Sequence, residues 1–342
     1  MRVLVTGGAG YFGEVLVRHF RARGDAVRVL DRVELDARPD DVEMIRADVR
    51  DAEACSHACD GMDVVVHAVA QVPLAKDRRL FHSVNVEGAR VLLHASARAR
   101  VRKVVVISSS AVFGAPRALP VTEGTVPHPR EAYGRAKLEA ERVALDFVAR
   151  GLDVTLIRPR TILGHGRLGI FQILFEWVRR GRPVYVLGTG DNRYQFVHAD
   201  DLADACLRAS DRVGADVFNV GAERFGTMRD LLEGLVAHAG TKSRVRSLPS
   251  RVAVGVMDLT SRLGLSPLGA YHALMYGRAM YFDVTHAKAT LGWRATRSND
   301  QMIGESYDYY VDNRDEILAR RDSSHHRSAV RLGILRALDY LP

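Results

Sequence analysis

Residues 3–13 read Val-Leu-Val-Thr-Gly-Gly-Ala-Gly-Tyr-Phe-Gly, and this stretch decides the fold. The apolar run at its start is typical of a strand that is buried on both faces. Gly7, Gly10 and Gly13 follow at intervals of three, and glycine lets the backbone turn at positive φ and approach a ligand closely. A helix that begins near Tyr11 would direct its unpaired N–H groups at that ligand. The stretch therefore predicts a strand, a glycine turn and a helix that bind a pyrophosphate.

An acidic residue stands where a dinucleotide-binding fold needs one. A second apolar run, 26–30, ends at Asp31, and such folds carry an acid for the adenosine ribose about 20 residues beyond the glycines. A carboxylate repels a 2′-phosphate, so Asp31 predicts NAD as the cofactor. The neighbouring Arg32 would partly offset this preference, which leaves NADP as the less favoured alternative.

The composition bounds the class of protein. The chain has 342 residues, of which 47% are apolar and 26% charged, as in a globular protein of two lobes. Its net charge of +8 admits an anionic ligand, but no dense run of Lys or Arg indicates a nucleic-acid partner. The three cysteines, Cys55, Cys59 and Cys206, lack metal-ligand spacing, so no metal site is expected. Their small, odd number indicates a reducing compartment. With neither a signal peptide nor a membrane span in the sequence, we expect a cytoplasmic location.

Strands alternate with helices in the first half of the chain, which predicts an α/β fold with a doubly wound parallel Rossmann sheet. The predicted strands are 3–5, 26–30, 43–46, 63–68, 103–108, 153–158 and 217–220, and the predicted helices of this region are 11–23, 51–58, 85–98 and 130–150. The predicted organisation is an NAD-binding domain over 1–165 to which 196–225 returns, a smaller, mainly helical substrate-binding lobe over 166–195 and 226–320, and a C-terminal tail over 321–342. The apolar segment 251–282 is expected to form helices over a substrate pocket.

A second set of residues indicates the chemistry. Tyr133 and Lys137 lie one helical turn apart on the same face of a predicted helix. A nearby ammonium group and a bound nicotinamide cation would favour the tyrosine phenolate, which can take the proton of a carbinol as hydride leaves. Ser109, at the end of the preceding strand, would hold the same oxygen. We therefore expect Ser109, Tyr133 and Lys137 to be catalytic.

With these motifs in order, the chain resembles the extended short-chain dehydrogenase/reductase family of NAD-dependent sugar-nucleotide epimerases and dehydratases over residues 1–315. The matching motifs include 6–13, 48–49, 67–70, 85–88, 108–114, 133–137, 158–159, 196–201 and 218–221. The resemblance implies that Ser109 is the catalytic serine, with Ser108 and Ser110 as the alternatives in register. It implies that Asp48 and Val49 flank the adenine. The cofactor-binding residues that it implies are Gly7, Gly10, Tyr11, Phe12, Gly13, Asp31, Arg32, Asp48, Val49, Ala68, Val69, Ala70, Tyr133, Lys137 and Pro159.

Departures from the family pattern restrict the reaction and the substrate. Dehydratases and decarboxylases of the family carry an acid just after the catalytic serine, where Ser110 stands, so we disfavour both reactions. Sugar-nucleotide epimerases have Asn and Arg where Thr161 and Tyr194 stand, and both positions contact the nucleotide diphosphate. The arginines that could substitute are Arg160, Arg167, Arg193 and Arg278. The segment 158–160 is also similar to the 3β-hydroxysteroid dehydrogenase branch.

Three functions remain after these departures. The first is NAD-dependent hydride transfer in a sugar-nucleotide 4-epimerase or ketoreductase. The second is a 3β-hydroxysteroid dehydrogenase-like or β-hydroxy-acid oxidoreductase, and the third is a non-catalytic NAD-binding regulator, against which the complete Ser-Tyr-Lys set argues. The resemblance implies a homodimer through the helices near 85 and 130. The tail 323–342 has an apolar stripe at helical spacing and could cover its own lobe, contact a partner subunit or lie on an anionic membrane.

Overall fold

The fold is built on one parallel sheet. The computed structural model describes residues 1–35, 38–72, 79–166, 171–249 and 277–319. The strands of the large sheet are β1 Arg2–Thr6, β2 Ala26–Asp31, β3 Glu43–Arg46, β4 Val64–His67, β5 Lys103–Ile107, β6 Val154–Pro159 and β10 Asp216–Val220. They are all parallel, in the order β10-β6-β5-β4-β1-β2-β3. The strand order reverses between β1 and β4, and ligands of open α/β sheets bind at such a point, beyond the carboxyl ends of the strands.

Helices cover both faces of this sheet, which confirms the predicted fold class. The described helices are α1 Tyr11–Ala22, α2 Ala52–Cys59, α3 Arg79–His82, α4 Gly88–Arg98, α5 Ala132–Ala149, α6 Phe171–Arg179, α7 Ala199–Asp211, α8 Met228–Ala239, α9 Thr285–Leu291, α10 Asn299–Asp312 and α11 Arg314–Ala319. Successive residues of a strand point to opposite faces. Val3 and Val5 accordingly pack in one core with α1 and α7, while Leu4 packs in a second core with α2, α4 and α5. Because both faces of the sheet centre are buried, β4 and β5 consist mainly of valine.

Two helices begin later than the sequence predicts. The regular helix expected from residue 85 begins at Gly88, because Ser83–Glu87 form a wider π-helical turn. In that turn the Asn85 side chain accepts from the Gln71 N–H at 2.8 Å and donates to the Gln71 carbonyl at 3.1 Å. The helix expected from about residue 130 begins at Ala132, because the Glu131 carboxylate accepts hydrogen bonds from the first N–H groups of α5 and so caps it.

The C-terminal part is mainly helical and carries two small parallel sheets. β7 Thr161–Leu163 pairs with β9 Phe196–His198, and β8 Val184–Leu187 pairs with β11 Val245–Leu248. A separate core under these strands includes Phe175, Phe196, Leu232, Met302 and Tyr310. These four short strands are not among the strands that the sequence pattern predicts above, because segments of three or four residues show too few alternations. The domain limits stay predictions, although β10 lies beside β6 in the large sheet.

A buried carboxylate joins α6 to the last described helices. Glu176 accepts hydrogen bonds from Tyr310, Arg314, Arg179 and Arg180. Although burial raises its pKa, these hydrogen bonds hold the pKa of Glu176 well below its usual range. The 321–342 tail lies outside the described residues, as does the segment 251–276 within the apolar stretch expected to cover a pocket.

Other expectations concern metal ions, thiols and membranes. Within the described ranges, no group of three or more His, Cys, Asp or Glu side chains is arranged to hold a metal ion. Cys55, Cys59 and Cys206 are buried free thiols, and burial raises the pKa of Cys55 to about 12. None of the described helices is long and apolar enough to cross a bilayer. The cytoplasmic location stays a prediction.

Candidate active site

The glycine turn brings three segments into close contact. Gly7 follows β1 at φ +77°, and a Cβ placed there would lie 2.9 Å from the backbone nitrogen of Val69. A Cβ at Gly13 would lie only 1.9 Å from the Gly7 carbonyl oxygen, so α1 can approach the turn only with glycine at that position. Substitution at either residue would separate the turn from α1 or from the segment after β4.

The start of α1 is suited to an anion. Gly10 is the N-terminal cap and has no side chain, and its N–H donates to the Gly7 carbonyl at 3.1 Å. The first helical residues, Tyr11, Phe12 and Gly13, are all buried, and the cap residue Gly10 makes no side-chain hydrogen bond to the helix. The N–H groups at a helix start and the positive end of the helix dipole together favour a phosphate. The turn therefore fits the pyrophosphate of a dinucleotide.

Asp31 is held beside the glycine turn. One of its carboxylate oxygens accepts from the Ala9 N–H at 3.1 Å and the other from the Val33 N–H at 3.2 Å. Arg32 is exposed, and its Nε lies 3.7 Å from a carboxylate oxygen of Asp48. Hydrogen bonding by Arg50, reinforced by both arginine charges, lowers the pKa of Asp48 to about 2. Arg50 already binds this carboxylate at 2.9 and 2.7 Å, so Arg32 is at most a second, exposed partner of Asp48.

The remaining expected cofactor residues lie along the same edge of the sheet. Ala68 and Val69 follow β4 directly and touch the Gly7 position, and Ala70 is half-buried beside them. Pro159 ends β6, and Val49 is buried against Gly88. The carboxyl ends of parallel strands share one edge, so the fold gathers the predicted residues there.

Tyr133 and Lys137 are placed by α5. Tyr133 is 8% exposed and packs against the edge of the Phe81 ring, at 6.1 Å between centroids. Lys137 is buried one turn later and donates from Nζ to the Ile107 carbonyl at 2.9 Å. Burial lowers the pKa of Lys137 to about 8, against the opposing effect of Glu141. A buried ammonium group on the same helix face favours the charged form of the phenol.

The three serines after β5 have different partners. The Ser108 hydroxyl donates to the Glu141 carboxylate at 2.5 Å, and the Ser110 hydroxyl accepts from Arg160 at 2.7 Å. Ser109 is half-buried, and its hydroxyl contacts only the Ala111 N–H, at 3.2 Å, among the residues that the structure describes. Its hydroxyl is therefore the one of the three that can still bind a substrate oxygen.

The sequence analysis does not identify Glu141, whose carboxylate connects several residues of the candidate active site. Besides Ser108, this buried carboxylate binds the Nε and Nη2 of Arg158 at 2.8 and 2.7 Å. The pair joins α5 to β6. An available signal was the spacing, because Glu141 follows Lys137 by four residues and continues the Tyr133 face of the helix.

His67 and His198 form structural hydrogen bonds. The Nδ1 atom of His67 lies 2.8 Å from the Thr6 hydroxyl, and burial lowers the pKa of His67 to about 3, so its ring is neutral. His198 accepts from the Asp200 N–H through Nδ1 and caps α7. Neither contact requires a catalytic role.

The substrate side differs from the epimerase pattern. The hydroxyls of Thr161 and Tyr194 lie 2.9 Å apart, where the family's sugar-nucleotide enzymes are expected to have Asn and Arg. Arg193 lies between two aromatic rings, and Arg278 is exposed. Arg160 is buried with its guanidinium 4.8 Å from the centre of the Tyr194 ring. Arg167 lies outside the described residues.

Together, the reversed strand order, the glycine turn and the Tyr-Lys helix define a dinucleotide-binding oxidoreductase fold. Comparison with known proteins specifies the family. Residues 3–221 match the model of the NAD dependent epimerase/dehydratase family. The chain belongs to this family and is an enzyme of the NAD-dependent epimerase and oxidoreductase type.

Two similar proteins align with more than nine-tenths of this chain. An uncharacterized protein, y4nG, of Sinorhizobium fredii is 48% identical over 98% of this chain and 85% of its own length. A 3 beta-hydroxysteroid dehydrogenase/Delta 5-->4-isomerase of Mycobacterium tuberculosis is 31% identical over 91% of this chain and 90% of its own.

Among solved structures, a UDP-glucose 4-epimerase of Thermotoga maritima with UDP-glucose has a TM-score of 0.77 and 25% identity, over 92% of this chain and 99% of its own. MoeE5 in complex with UDP-glucose and NAD has a TM-score of 0.75 and 26% identity, over 92% and 99%. Both structures contain UDP-glucose, and the MoeE5 structure also contains NAD.

Proposed function

We propose that this protein transfers hydride between NAD and a secondary alcohol or its ketone, as a dehydrogenase or ketoreductase that releases its cofactor. The observation that carries the proposal is the placement of Tyr133 and Lys137 on one helix face, next to the one serine hydroxyl without a side-chain partner among the described residues. A regulator that only bound NAD would not need this set.

Each of the three residues has one role in the reaction. The Tyr133 phenolate takes the carbinol proton during oxidation, and the Tyr133 phenol returns it during reduction. Lys137 stabilises the phenolate, and its hydrogen bond to the Ile107 carbonyl fixes its position. The Ser109 hydroxyl donates to the substrate oxygen and orients it. When NAD is bound, its nicotinamide ring supplies the hydride acceptor.

The cofactor-binding role of the glycine-turn residues is part of the proposal. The N–H groups of Tyr11, Phe12 and Gly13 would bind the pyrophosphate, and Asp31 would accept from the adenosine ribose. Asp31 supports NAD over NADP because its carboxylate would repel a 2′-phosphate. Asp48 and Val49 would flank the adenine.

The pair of Thr161 and Tyr194 favours a dehydrogenase over a sugar-nucleotide epimerase. Two hydroxyls that bond to each other offer no charge to a diphosphate. The 31% identity to a hydroxysteroid dehydrogenase supports the same choice. A sugar-nucleotide 4-epimerase is the second candidate, because structures with UDP-glucose align over 92% of the chain.

The test is to incubate the purified protein and NAD with one candidate substrate per reaction. The candidates are secondary alcohols, 3-hydroxy acids and UDP-glucose. Accumulation of free NADH supports a dehydrogenase. Formation of UDP-galactose without net NADH indicates the epimerase. Tyr133→Phe is the control, and equal turnover by this variant and the wild type would contradict the proposed mechanism.

We also propose a homodimer that pairs α4 and α5 of two subunits. The supporting observation is Leu145 on α5, which is 49% exposed although it is large and apolar. Leu145→Glu is expected to convert the dimer to a monomer in light scattering. A wild-type protein that is monomeric at micromolar concentration would contradict the proposal.

A further inference from the structure

Arg160 is an unusual residue of the substrate side. Its side chain is among the largest fully buried ones, at 1% exposure. Nη1 donates to the Ser110 hydroxyl at 2.7 Å, and the guanidinium lies 4.8 Å from the centre of the Tyr194 ring and 5.7 Å from that of Phe282. Nε and Nη2 are buried and have no hydrogen-bond partner among the described residues. One edge of a buried cation is thus unpaired.

Arg158 gives an example of what the Nε–Nη2 edge of a buried arginine binds. This arginine lies two residues earlier and is also buried, and it uses Nε and Nη2 to bind both oxygens of the Glu141 carboxylate. Its guanidinium also lies over an aromatic ring, that of Phe113, at 5.1 Å. Both arginines therefore lie over aromatic rings. The Nε–Nη2 edge of Arg158 binds a carboxylate, whereas that of Arg160 binds nothing in the described chain.

The cost of this arrangement argues for a ligand. Burying a charge without a counter-charge is unfavourable, and one neutral hydroxyl and two aromatic faces compensate only part of the lost hydration. Arg160 forms no ion pair with a described carboxylate. A planar guanidinium with two parallel N–H donors is the geometry that binds a carboxylate or phosphate through two oxygens.

The site lies next to the catalytic serine. Ser110, the partner of Arg160, follows Ser109 directly and begins the short turn Ser110–Phe113. That turn packs on the start of α5, since a Cβ at Gly134 would lie 2.5 Å from the Ala111 carbonyl oxygen. The guanidinium of Arg160 is therefore bonded to the same turn that positions the catalytic groups.

We propose that Arg160 binds an oxyanion of the substrate, near the carbinol that reacts. This inference rests on the proposed hydride transfer and names the class of substrate: a secondary alcohol that also carries a carboxylate or a phosphate. A hydroxy acid would supply the carboxylate, and a nucleotide sugar would supply the phosphate. In both cases Nε and Nη2 each donate to one oxygen, as they do in Arg158.

The experiment measures binding without turnover. Isothermal titration with saturating NADH, which cannot accept hydride from an alcohol, compares two matched pairs of probes: 3-hydroxybutyrate with 3-hydroxybutanamide, and UDP with uridine. The wild type is expected to prefer the anion in at least one pair, and the pair identifies the source of the oxyanion. Arg160→Gln should weaken binding of that anion by about ten- to a hundred-fold, as for lost hydrogen bonds between charged groups, and leave the neutral probe unchanged.

Two further variants control for charge and surface. Arg160→Lys, which keeps the charge without the two-donor edge, should fall between Arg160→Gln and the wild type. Arg208→Gln removes an exposed arginine paired with Asp204 and should bind all probes as the wild type does. If the wild type prefers neither anion, or if Arg160→Gln retains the preference, the proposal is wrong.

Thermal unfolding separates this role from a structural one. Arg160→Met removes a buried unpaired charge, so without ligand we expect its Tm to equal or exceed the wild-type value, and the anion-induced rise in Tm should disappear. A lower Tm with an unchanged anion-induced rise would show a structural arginine and overturn the proposal. If the wild type binds the anion but does not reduce NAD, the result counts against the proposed function and not against this site.

Discussion

The cofactor side and the substrate side of the cleft are built from different parts of the chain. The cofactor side, Gly7–Gly13 with Asp31, presents mostly backbone N–H groups, and its carboxylate is held by two of them. The substrate side, around Arg160, Tyr194 and Phe282, presents side chains that meet from distant parts of the sequence. Under the proposed assignments, backbone geometry recognises the cofactor and individual side chains recognise the substrate.

The largest effect is expected where the two sides meet, at Tyr133. Tyr133→Phe removes the proton acceptor and should lower turnover on the order of 10³-fold, as for loss of a general base. NAD affinity should change only a few-fold, because the glycine turn is unaltered. Steady-state kinetics and a fluorescence titration with NAD measure the two quantities.

Tyr185→Phe on β8 is the matched control and should leave both quantities unchanged. A large loss of NAD affinity in Tyr133→Phe would show that the two sides are not separable.

The serines test the register of the site. Ser109→Ala should lower turnover by about 10²-fold, because the substrate oxygen loses one hydrogen-bond donor. Ser108→Ala should act mainly on stability, since Ser108 donates to the buried Glu141 carboxylate. Kinetics and thermal unfolding of both variants distinguish the roles. A damaging Ser110→Ala together with a silent Ser109→Ala would move the catalytic position by one residue.

Asp31 tests the cofactor side alone. The wild type should bind NAD more tightly than NADP, and Asp31→Asn should narrow that ratio by about ten-fold, because it removes the charge that repels a 2′-phosphate. Arg32→Gln should increase the preference for NAD over NADP, because it removes a positive charge that would attract a 2′-phosphate. Equal affinity of the wild type for both cofactors would contradict the assignment.

The last prediction concerns the dependence of stability on pH and not the binding of a ligand. Burial lowers the pKa of Lys137 from 10.5 to about 8, so between these values the folded protein binds fewer protons than the unfolded chain. The contribution of Lys137 to stability therefore rises with pH across this window, by about 3 kcal/mol, and the cost of burying its charge is fully present below pH 8.

The measurement is the difference in Tm between wild type and Lys137→Met at several pH values. The wild type should gain on the variant from pH 8 to pH 10. A difference that is independent of pH would mean that the lysine keeps its ordinary pKa.

The difference between a side built from one local stretch and a side built from distant segments also explains how much of the structure could be predicted from the sequence. The six strands through residue 158, the strand at 217–220 and the glycine turn follow from local patterns, and the structure confirms these strands to within one or two residues. The structure also places Ser109, Tyr133 and Lys137 on neighbouring elements, while their catalytic roles stay predictions.

What the sequence could not predict depends on distant contacts. The partners of Arg160 stand 50 residues before it, at Ser110, and far beyond it, at Phe282. The π-helical turn before α4 depends on Asn85 meeting the backbone of Gln71, which no local periodicity encodes. Short strands such as β7 form only because a distant strand completes their hydrogen bonds.

The ion pair between Arg158 and Glu141 has a consequence for the history of such enzymes. It connects β6 to α5 through residues other than Arg160. If Arg160 binds the substrate as proposed, a lineage that replaces this side chain changes the preferred substrate and keeps the ion pair that joins β6 to α5. Single mutations at position 160 are then a route to new specificities on the same fold.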